Sequence, residues 1–415
     1  MTTYSEWKSQ VEGFDKLVVK LPEGVSVQPL YVEAPPLHVP GMPAKCELVE
    51  SHVDGAVSTV ELHELGADAA DELAFALSTG ATLPKLDEVV VRVAVGRDTF
   101  LELCKLRALR LCWAKLTTVA GVPDAKLVIH AVSSKRTLTI SDPWVNMLRV
   151  TTQTFAAILG GADFVTPASF DDAMVRSELG ARVARNTQLV LHHESALGAV
   201  IDPAAGSYYL DTFTDQLARE AWKRFQAMEA EGGLEKALPG LKARVETAWS
   251  ERLAAIAKRK IPILGVSEFA NVDEVLPTAR QKLEHRHDSE QFEALRVSAE
   301  EFSPKAILVT LGTIAESRAR VGFALNFLAA GGIKAREVSA DEKEVVAVLC
   351  GTDERYATDA VARAKSLKAA GCTKVLLAGR PGANEAELRA AGVDGFIFIG
   401  CDLVATLGDL LEAYP

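Results

Sequence analysis

Cysteine is sparse and scattered. The six residues are Cys46, Cys104, Cys112, Cys350, Cys372 and Cys401, and no two are spaced as C-x-x-C. That spacing excludes a zinc-ribbon type of metal site and a dense disulfide framework, and it fits reduced, buried thiols. No apolar run reaches the ~18 residues a membrane span requires. Met1 to Gln10 is polar and lacks the apolar core of an export signal. The chain therefore reads as soluble and cytoplasmic. Basic charge is short as well: 45 Lys and Arg against 56 Asp and Glu give a net charge of -11. Such a balance argues against nucleic acid or an anionic membrane as the main partner. No G-x-G-x-x-G or G-K-[ST] occurs, so Gly312–Ser317 (G-T-I-A-E-S) is only a weak phosphate-loop signal. What remains is ordinary globular material, 48% hydrophobic and 24% charged over 415 residues, enough for two or more domains.

Met1 to Pro43 is rich in proline, with Pro35, Pro36, Pro40 and Pro43, and reads as an arm lying over a surface; the extended N-terminal arm is set at 1–50. From Val57 to Phe170 two patterns alternate. Strands are expected at Val57–Leu62, Val89–Val95, Leu127–Val132 and Phe164–Thr166. Helices are expected at Ala69–Ser78, Phe100–Leu116 and Trp144–Leu159, the last stopped by Gly160 and Gly161. This alternation means parallel β-α units and an α/β fold.

Asp215 to Lys260 is helical, punctuated by Gly232, Gly233 and Pro239, and Arg280–Arg296 is a charged stretch that begins a linker or a surface helix; the helical linker is set at 215–303. Pro304 then opens a further domain, 304–415. Its apolar runs are Ala306–Leu311, Ala335–Val338, Val345–Leu349, Val375–Ala378 and Phe396–Ile399. Helical patterns lie at Arg320–Ala330, Ala357–Ala370, Ala386–Ala390 and Leu403–Leu411. Five strands with crossover helices in about a hundred residues suggest a doubly wound, flavodoxin-like sheet.

Several short motifs stand in a recognisable order: D-P-W-V-N-M-L-R from Asp142, G-G-A-D-F from Gly160, A-R-N-T-Q-L from Ala184 and D-P-A-A-G-S-Y-Y from Asp202. This series resembles the end of the barrel in methylmalonyl-CoA mutase and related acyl-CoA mutases. Ala131–Pro143, Lys258–Phe269 and Arg286–Glu293 are most similar to the small, non-catalytic subunit of the family's two-subunit bacterial members. The resemblance implies a β/α barrel of TIM type that binds a CoA ester, a helical linker and a flavodoxin-like domain of cobalamin-binding type. Only the later half of the barrel is expected here, as a partial barrel over 51–214. An open half-barrel exposes two strand edges, so it should be covered by a partner, by self-association or by the arm.

The resemblance also allows the family's chemistry to be checked position by position. The histidine that hydrogen-bonds the thioester carbonyl falls on His130, but its glutamine and glycine neighbours are Val132 and Lys135. Without that polar setting His130 reads as a structural histidine. The tyrosine-histidine pair of active members falls on Val60 and Glu61, and His63 is out of register. The cobalamin motif D-x-H-x-x-G falls on Ile314, Glu316 and Ala319, and Ser303 to Pro415 contains no histidine. A glutamate is a poor replacement for a neutral nitrogen donor to cobalt. Of the glycine pair flanking the nucleotide tail, Gly379 remains and Arg380 replaces its neighbour.

Arg182–Thr187 and Asp202–Tyr209 read as caps and packing. The run Lys258–Lys260 reads as a solvated surface that could also face an acidic partner. The expectation is a chain with no catalytic, cofactor or metal residue of its own, His130 being the only retained position. It would pair as small subunit with a catalytic large subunit carrying adenosylcobalamin, in a complex interconverting methylmalonyl-CoA and succinyl-CoA. The alternatives are an active or altered-specificity acyl-CoA mutase resting on His130, or a CoA-ester-binding regulatory pseudoenzyme.

Overall fold

Largely apolar runs form the inner strands of two parallel sheets of five strands each, with Arg92 and His130 standing within those of the first. The computed structural model describes residues 3–49, 55–275, 286–339 and 342–414, and these divide into two units.

The first unit comprises Met1–Leu138, Asn146–Ser250 and Ala279–His287. It opens with α1 (Tyr4–Gln10), α2 (Phe14–Leu17) and the antiparallel pair β1 (Val19–Lys20) and β2 (Ser26–Val27). Then come β3 (Glu47–Leu48), β4 (Val57–Ser58), α3 (Val60–Glu64), α4 (Ala69–Ala81), β5 (Glu88–Val95), α5 (Thr99–Val119), β6 (Lys126–Ser133), α6 (Val145–Leu159) and β7 (Phe164–Thr166). The helices α7 (Glu178–Leu189), α8 (Tyr208–Ala230) and α9 (Leu234–Ala257, whose residues from Glu251 on fall in the second unit) follow, with a π-turn at Val190–Glu194 after α7. The strand order is β3-β7-β6-β5-β4, all parallel, with the two-residue strands β3 and β4 at the edges. β5 and β6 pair along eight residues, from Glu88 against Lys126 to Val95 against Ser133.

Strand side chains alternate between faces. Val89, Val91, Val93 and Val95 of β5, with Ile129 and Ala131 of β6 and Val165 of β7, enter a core with Leu73, Leu77, Leu109, Trp113 and Leu217 of the helices. Arg92, His130 and Thr166 therefore sit on the opposite face.

Two expectations change here. The strand expected over Val57–Leu62 is only two residues long: the Thr59 N–H still bonds the Arg92 carbonyl at 3.0 Å, and the chain then turns into α3. The arm expected to be extended over 1–50 holds a capped helix at its start, with Thr3 and Glu6 forming a capping box, and its last strand, β3, joins the sheet. In between, the arm lies over the helices: Val25 packs with Leu103, Cys104, Ala204 and Phe213.

The second unit comprises Thr139–Val145, Glu251–Thr278 and Asp288–Pro415. Its elements are α10 (Glu290–Phe302), β8 (Lys305–Thr310), α11 (Ile314–Ala330), β9 (Lys334–Val338), β10 (Val346–Cys350), α12 (Asp353–Thr358), α13 (Ala360–Ala370), β11 (Lys374–Ala378), α14 (Glu385–Ala390), β12 (Gly395–Ile397) and α15 (Leu403–Leu411). All strands are parallel, in the order β12-β11-β10-β8-β9. Numbered within this sheet, the order is 2-1-3-4-5.

Its sheet is buried on both faces, as continuous apolar strands require. Leu308, Val348 and Phe327 belong to one core, and Ile307, Leu349 and Leu367 to the other. The helix expected over Ala357–Ala370 is two helices, which meet at Asp359 with φ -111° and ψ -27°.

The segment 215–303, expected as a linker, is divided: α8 belongs to the first unit and α10 to the second, while α9 runs on through Pro239. Part of the charged stretch Arg280–Arg296 lies outside the described residues. No helix among the described residues is long and apolar enough to cross a membrane.

Candidate functional site

A cavity of about 300 Å³ opens at the carboxyl ends of the first sheet's strands, the end where parallel α/β sheets place their ligands. Val60, Glu61, His130, Val132 and Lys135 all line it. The resemblance places the family's chemistry or its immediate neighbours at these five positions, and the fold brings them together. β6 presents His130 because it is two residues along from Val128 and two before Val132, on the face turned away from the helices. The His130 ring is buried, its Nε2 lies 2.8 Å from Thr166 Oγ1, and Phe164 packs edge-on at 6.5 Å. The neighbouring carboxylates are engaged. Glu61 accepts the Ser58 hydroxyl at 2.8 Å. Glu64 accepts the backbone N–H groups of Lys135 at 2.9 Å and Arg136 at 2.6 Å.

His63, which the sequence places out of register, points away from the cavity into a buried network. Its Nδ1 is 2.7 Å from Glu72 Oε1 and its Nε2 is 2.9 Å from Ser134 Oγ. Lys105 donates to Glu72 at 3.0 Å and to the Ala94 carbonyl at 2.8 Å, and pairs with Glu102 at 2.6 Å. Arg136 Nη1 donates to the His63 carbonyl at 2.7 Å. Burial pushes the imidazole pKa down to about 3, and the charges of Arg136 and Lys105 reinforce this. Burial works against a charged Lys105, yet Glu102 and Glu72 outweigh it and raise its pKa.

The order Ser134, His63, Glu72 is that of a hydrolytic triad. Here the serine is fully buried, the imidazole takes up a proton poorly, and the two N–H groups that follow the serine are already held by Glu64. The arrangement braces the loop after β6. Nothing in sequence spacing signals it, since His63 and Ser134 are 71 residues apart.

The motif at Asp202 has a structural part. Arg107, fully buried on α5, grips both Asp202 oxygens at 3.0 Å, Asp211 at 2.8 Å and Thr214 at 3.1 Å. Asp202 itself is in the left-handed region, with φ 47°. Arg182 and Asn186, by contrast, are exposed on α7, and only Gly180, Ala184 and Gln188 of that helix are buried. Within Arg182–Thr187, Ala184 is buried and Val183 and Thr187 are half-buried.

In the second unit the positions of the cobalamin motif surround the turn from β8 into α11. Gly312 has φ 80°, and a Cβ there would come within 2.6 Å of Arg355 Nε and Glu316 Oε2. Thr313 caps α11, and Glu316 returns a bond to the Thr313 N–H at 2.6 Å, completing a capping box. Arg355 Nε meets Glu316 Oε1 at 3.0 Å. The Thr313 N–H, followed by Arg355, pulls the Glu316 carboxyl down to about 2. Ile314 is 80% exposed and Ala319 is exposed. Arg380, in place of the second glycine, lies over Phe398 at 4.9 Å. No nitrogen donor stands at these positions, and the carboxylate that is there is committed to a helix cap and an ion pair.

Comparison with known proteins gives a consistent result. The family model for methylmalonyl-CoA mutase matches residues 53–352. The methylmalonyl-CoA mutase small subunit of Streptomyces virginiae is 37% identical over 398 residues, covering 86% of this chain and 63% of that protein. The small subunit of Propionibacterium freudenreichii subsp. shermanii is 36% identical over 391 residues, covering 84% of this chain and 61% of that protein. That of Porphyromonas gingivalis is 31% identical over 442 residues, covering 95% and 70%. The chain thus spans less than two thirds of the length of the first two relatives.

Proposed function

The chain belongs to the methylmalonyl-CoA mutase family, and from that premise we propose that it is a small, non-catalytic subunit that stabilises a catalytic large subunit carrying adenosylcobalamin. The complex would interconvert methylmalonyl-CoA and succinyl-CoA in the cytoplasm. The observation that carries this reading is the engagement of Glu316. Where the family places its cobalt ligand, this chain has a carboxylate held by Thr313 and Arg355. The cavity supports the same reading, with Val60 and Glu61 in place of an aromatic and an imidazole.

The strand order 2-1-3-4-5 of the second sheet supports a flavodoxin-like domain. The first sheet, with its two short edge strands, supports a section of a β/α barrel wall. Those edges are where a large subunit, or a second copy of this chain, would complete the structure.

The test is to purify the chain with and without a candidate large subunit, then combine size exclusion, light scattering and a corrin absorbance scan. A heterodimer with all corrin on the partner supports the proposal. A corrin-bearing homo-oligomer of this chain alone overturns it. A second reading, a CoA-ester-binding pseudoenzyme, is favoured by the retained cavity and by His130 on its wall. Calorimetry with CoA esters separates the two, since a purely structural subunit releases no heat of binding.

A further inference from the structure

The arm is fastened to the first unit by a short hairpin. β1 and β2 pair Val19 with Val27 and Lys20 with Ser26. The turn between them is closed by the Leu21 N–H on the Val25 carbonyl at 2.9 Å and the Gly24 N–H on the Leu21 carbonyl at 3.1 Å. Gly24 has φ 81°, a left-handed geometry that glycine adopts without strain. Two side chains of this turn are buried against the helices. Val25 joins Leu103, Cys104, Ala204 and Phe213. Glu23 is the other, and it is a carboxylate. The carboxylates around it on the helices have cations. Asp68, at the start of α4, is held by Arg224 at 2.7 Å, and Asp71 by Arg244 at 3.0 Å. Glu102 on α5 pairs with Lys105 at 2.6 Å. Glu220 on α8, where a Cβ on Gly24 would lie 3.5 Å from its carboxyl carbon, pairs with Lys223 at 3.0 Å and Arg224 at 3.3 Å. Among the described residues no cation pairs with Glu23, and its Oε2 is buried without a hydrogen-bond partner.

We propose that this hairpin is a pH-gated strap: with Glu23 protonated it is clasped against α4, α5 and α8, and loss of that proton lifts it while the sheet beneath stays folded. A carboxylate buried without a cation is costly, and water is the cheapest place for its charge. The hairpin is also the element that opens most easily, because a two-stranded hairpin is marginal by itself. Burial, then the charge of Asp68, pushes the Glu23 pKa up to about 7, against the pull of the Glu23 and Ala69 N–H groups. A raised carboxyl contributes a clasp that is complete below pH 4.5 and lost as pH rises through 7. Lifting the strap withdraws Val25 and uncovers the apolar cluster that includes Cys104. The proposal is independent of the subunit reading, since it requires neither a corrin nor a partner chain.

Native-state hydrogen exchange tests it, on the full chain and on Glu23→Gln, with each amide normalised to its intrinsic rate at each pH. In the unmodified chain the protection of the Leu21 and Gly24 amides should fall about tenfold between pH 6 and pH 8, as expected for a carboxyl of about 7 when clasped and 4.5 when released. In Glu23→Gln it should stay level. The amides of β5 and β6 should remain more than about tenfold better protected than the strap throughout. If Glu23→Gln does not fold, Asp68→Asn takes its place, because it keeps the helix cap and removes the charge that opposes ionisation; the fall should then shrink. No fall in the unmodified chain, or a fall as steep in the variant, shows that Glu23 does not govern the hairpin. Equal protection of hairpin and sheet shows that the hairpin opens only with the whole unit. Each of these results overturns the proposal.

Discussion

Glu316 Oε1 and Arg355 Nε meet at 3.0 Å beside the turn from β8 to α11, and Glu316 at the same time closes the N-terminus of that helix. One carboxylate thus serves a capping box and an ion pair. Its acidity follows. The Thr313 N–H and Arg355 hold the folded-state pKa at about 2, below the usual glutamate value of 4.5. A depressed carboxyl contributes stability above its unfolded pKa and loses it as pH falls through the folded value. The Glu316 side-chain carbon, followed by NMR, should therefore titrate well below pH 4. Arg355→Ala should move the midpoint up towards the ordinary glutamate range, and an unmoved midpoint would mean that the pair does not form in solution.

His63 should behave in the opposite chemical sense but with the same pH direction. Its folded pKa of about 3 lies below the usual histidine value of 6.5, so the unfolded chain binds the extra proton first. The stability this group contributes is complete above pH 6.5 and declines as pH falls towards 3, at about 1.4 kcal/mol per pH unit. Urea unfolding at stepped pH reads the slope. The His63 ring resonances should not shift between pH 7.5 and pH 5.

Removing His63 should be costlier than removing its serine partner. His63→Ala leaves Glu72 buried with one partner fewer, at a cost of about 2–4 kcal/mol. Ser134→Ala removes a single neutral hydrogen bond, at about 1 kcal/mol. Equal losses in denaturant unfolding would show that the network is not organised around the imidazole.

Glu23 carries a third pH signature. It is 4% exposed, and its Oε2 is buried with no hydrogen-bond partner among the described residues. Burial, followed by the charge of Asp68, raises its pKa from 4.5 to about 7. A raised carboxyl contributes stability that is complete below pH 4.5 and lost as pH rises through 7. Glu23→Gln should remove this loss and stabilise the chain at pH 8 by roughly 2–3 kcal/mol. Thermal melts of both proteins at pH 5 and pH 8 check it, and an unchanged difference between the two pH values would rule it out.

Arg107 is the most exacting of the buried charges. Arg107→Lys keeps the charge but cannot grip both oxygens of Asp202 while reaching Asp211 and Thr214. It should cost about 3 kcal/mol, within the range for disrupting a buried ion pair. A loss below about 1 kcal/mol, typical of a surface pair, would show that Asp202 and Asp211 remain satisfied without it.

Much of the fold is legible along the chain, because strand and helix periodicity is a local property. The apolar runs at Val89–Val95 and Phe164–Thr166 are strands, and the pattern at Leu403–Leu411 is a helix with those bounds. The failures are local too. Val57–Leu62 mixes apolar and polar residues in a way that suits either state, and the chain leaves the sheet for α3 after the Thr59 N–H bonds the Arg92 carbonyl.

The candidate sites divide differently. Sequence alone determined which residue types stand at the family's chemical positions: Val60 and Glu61, a lone His130, and Ile314, Glu316 and Ala319 with no histidine anywhere after Ser303. It also determined that the chain carries the family's motifs in order. Only the tertiary structure decided what those residues do. His63 meets Ser134, and Glu64 meets Lys135 and Arg136, across separations of 71 and 72 residues, and Glu316 meets Arg355 across 39. Such partners are set by which strand ends lie side by side in a parallel sheet. A crossover helix separates those ends along the chain, so no local pattern can encode the pairing.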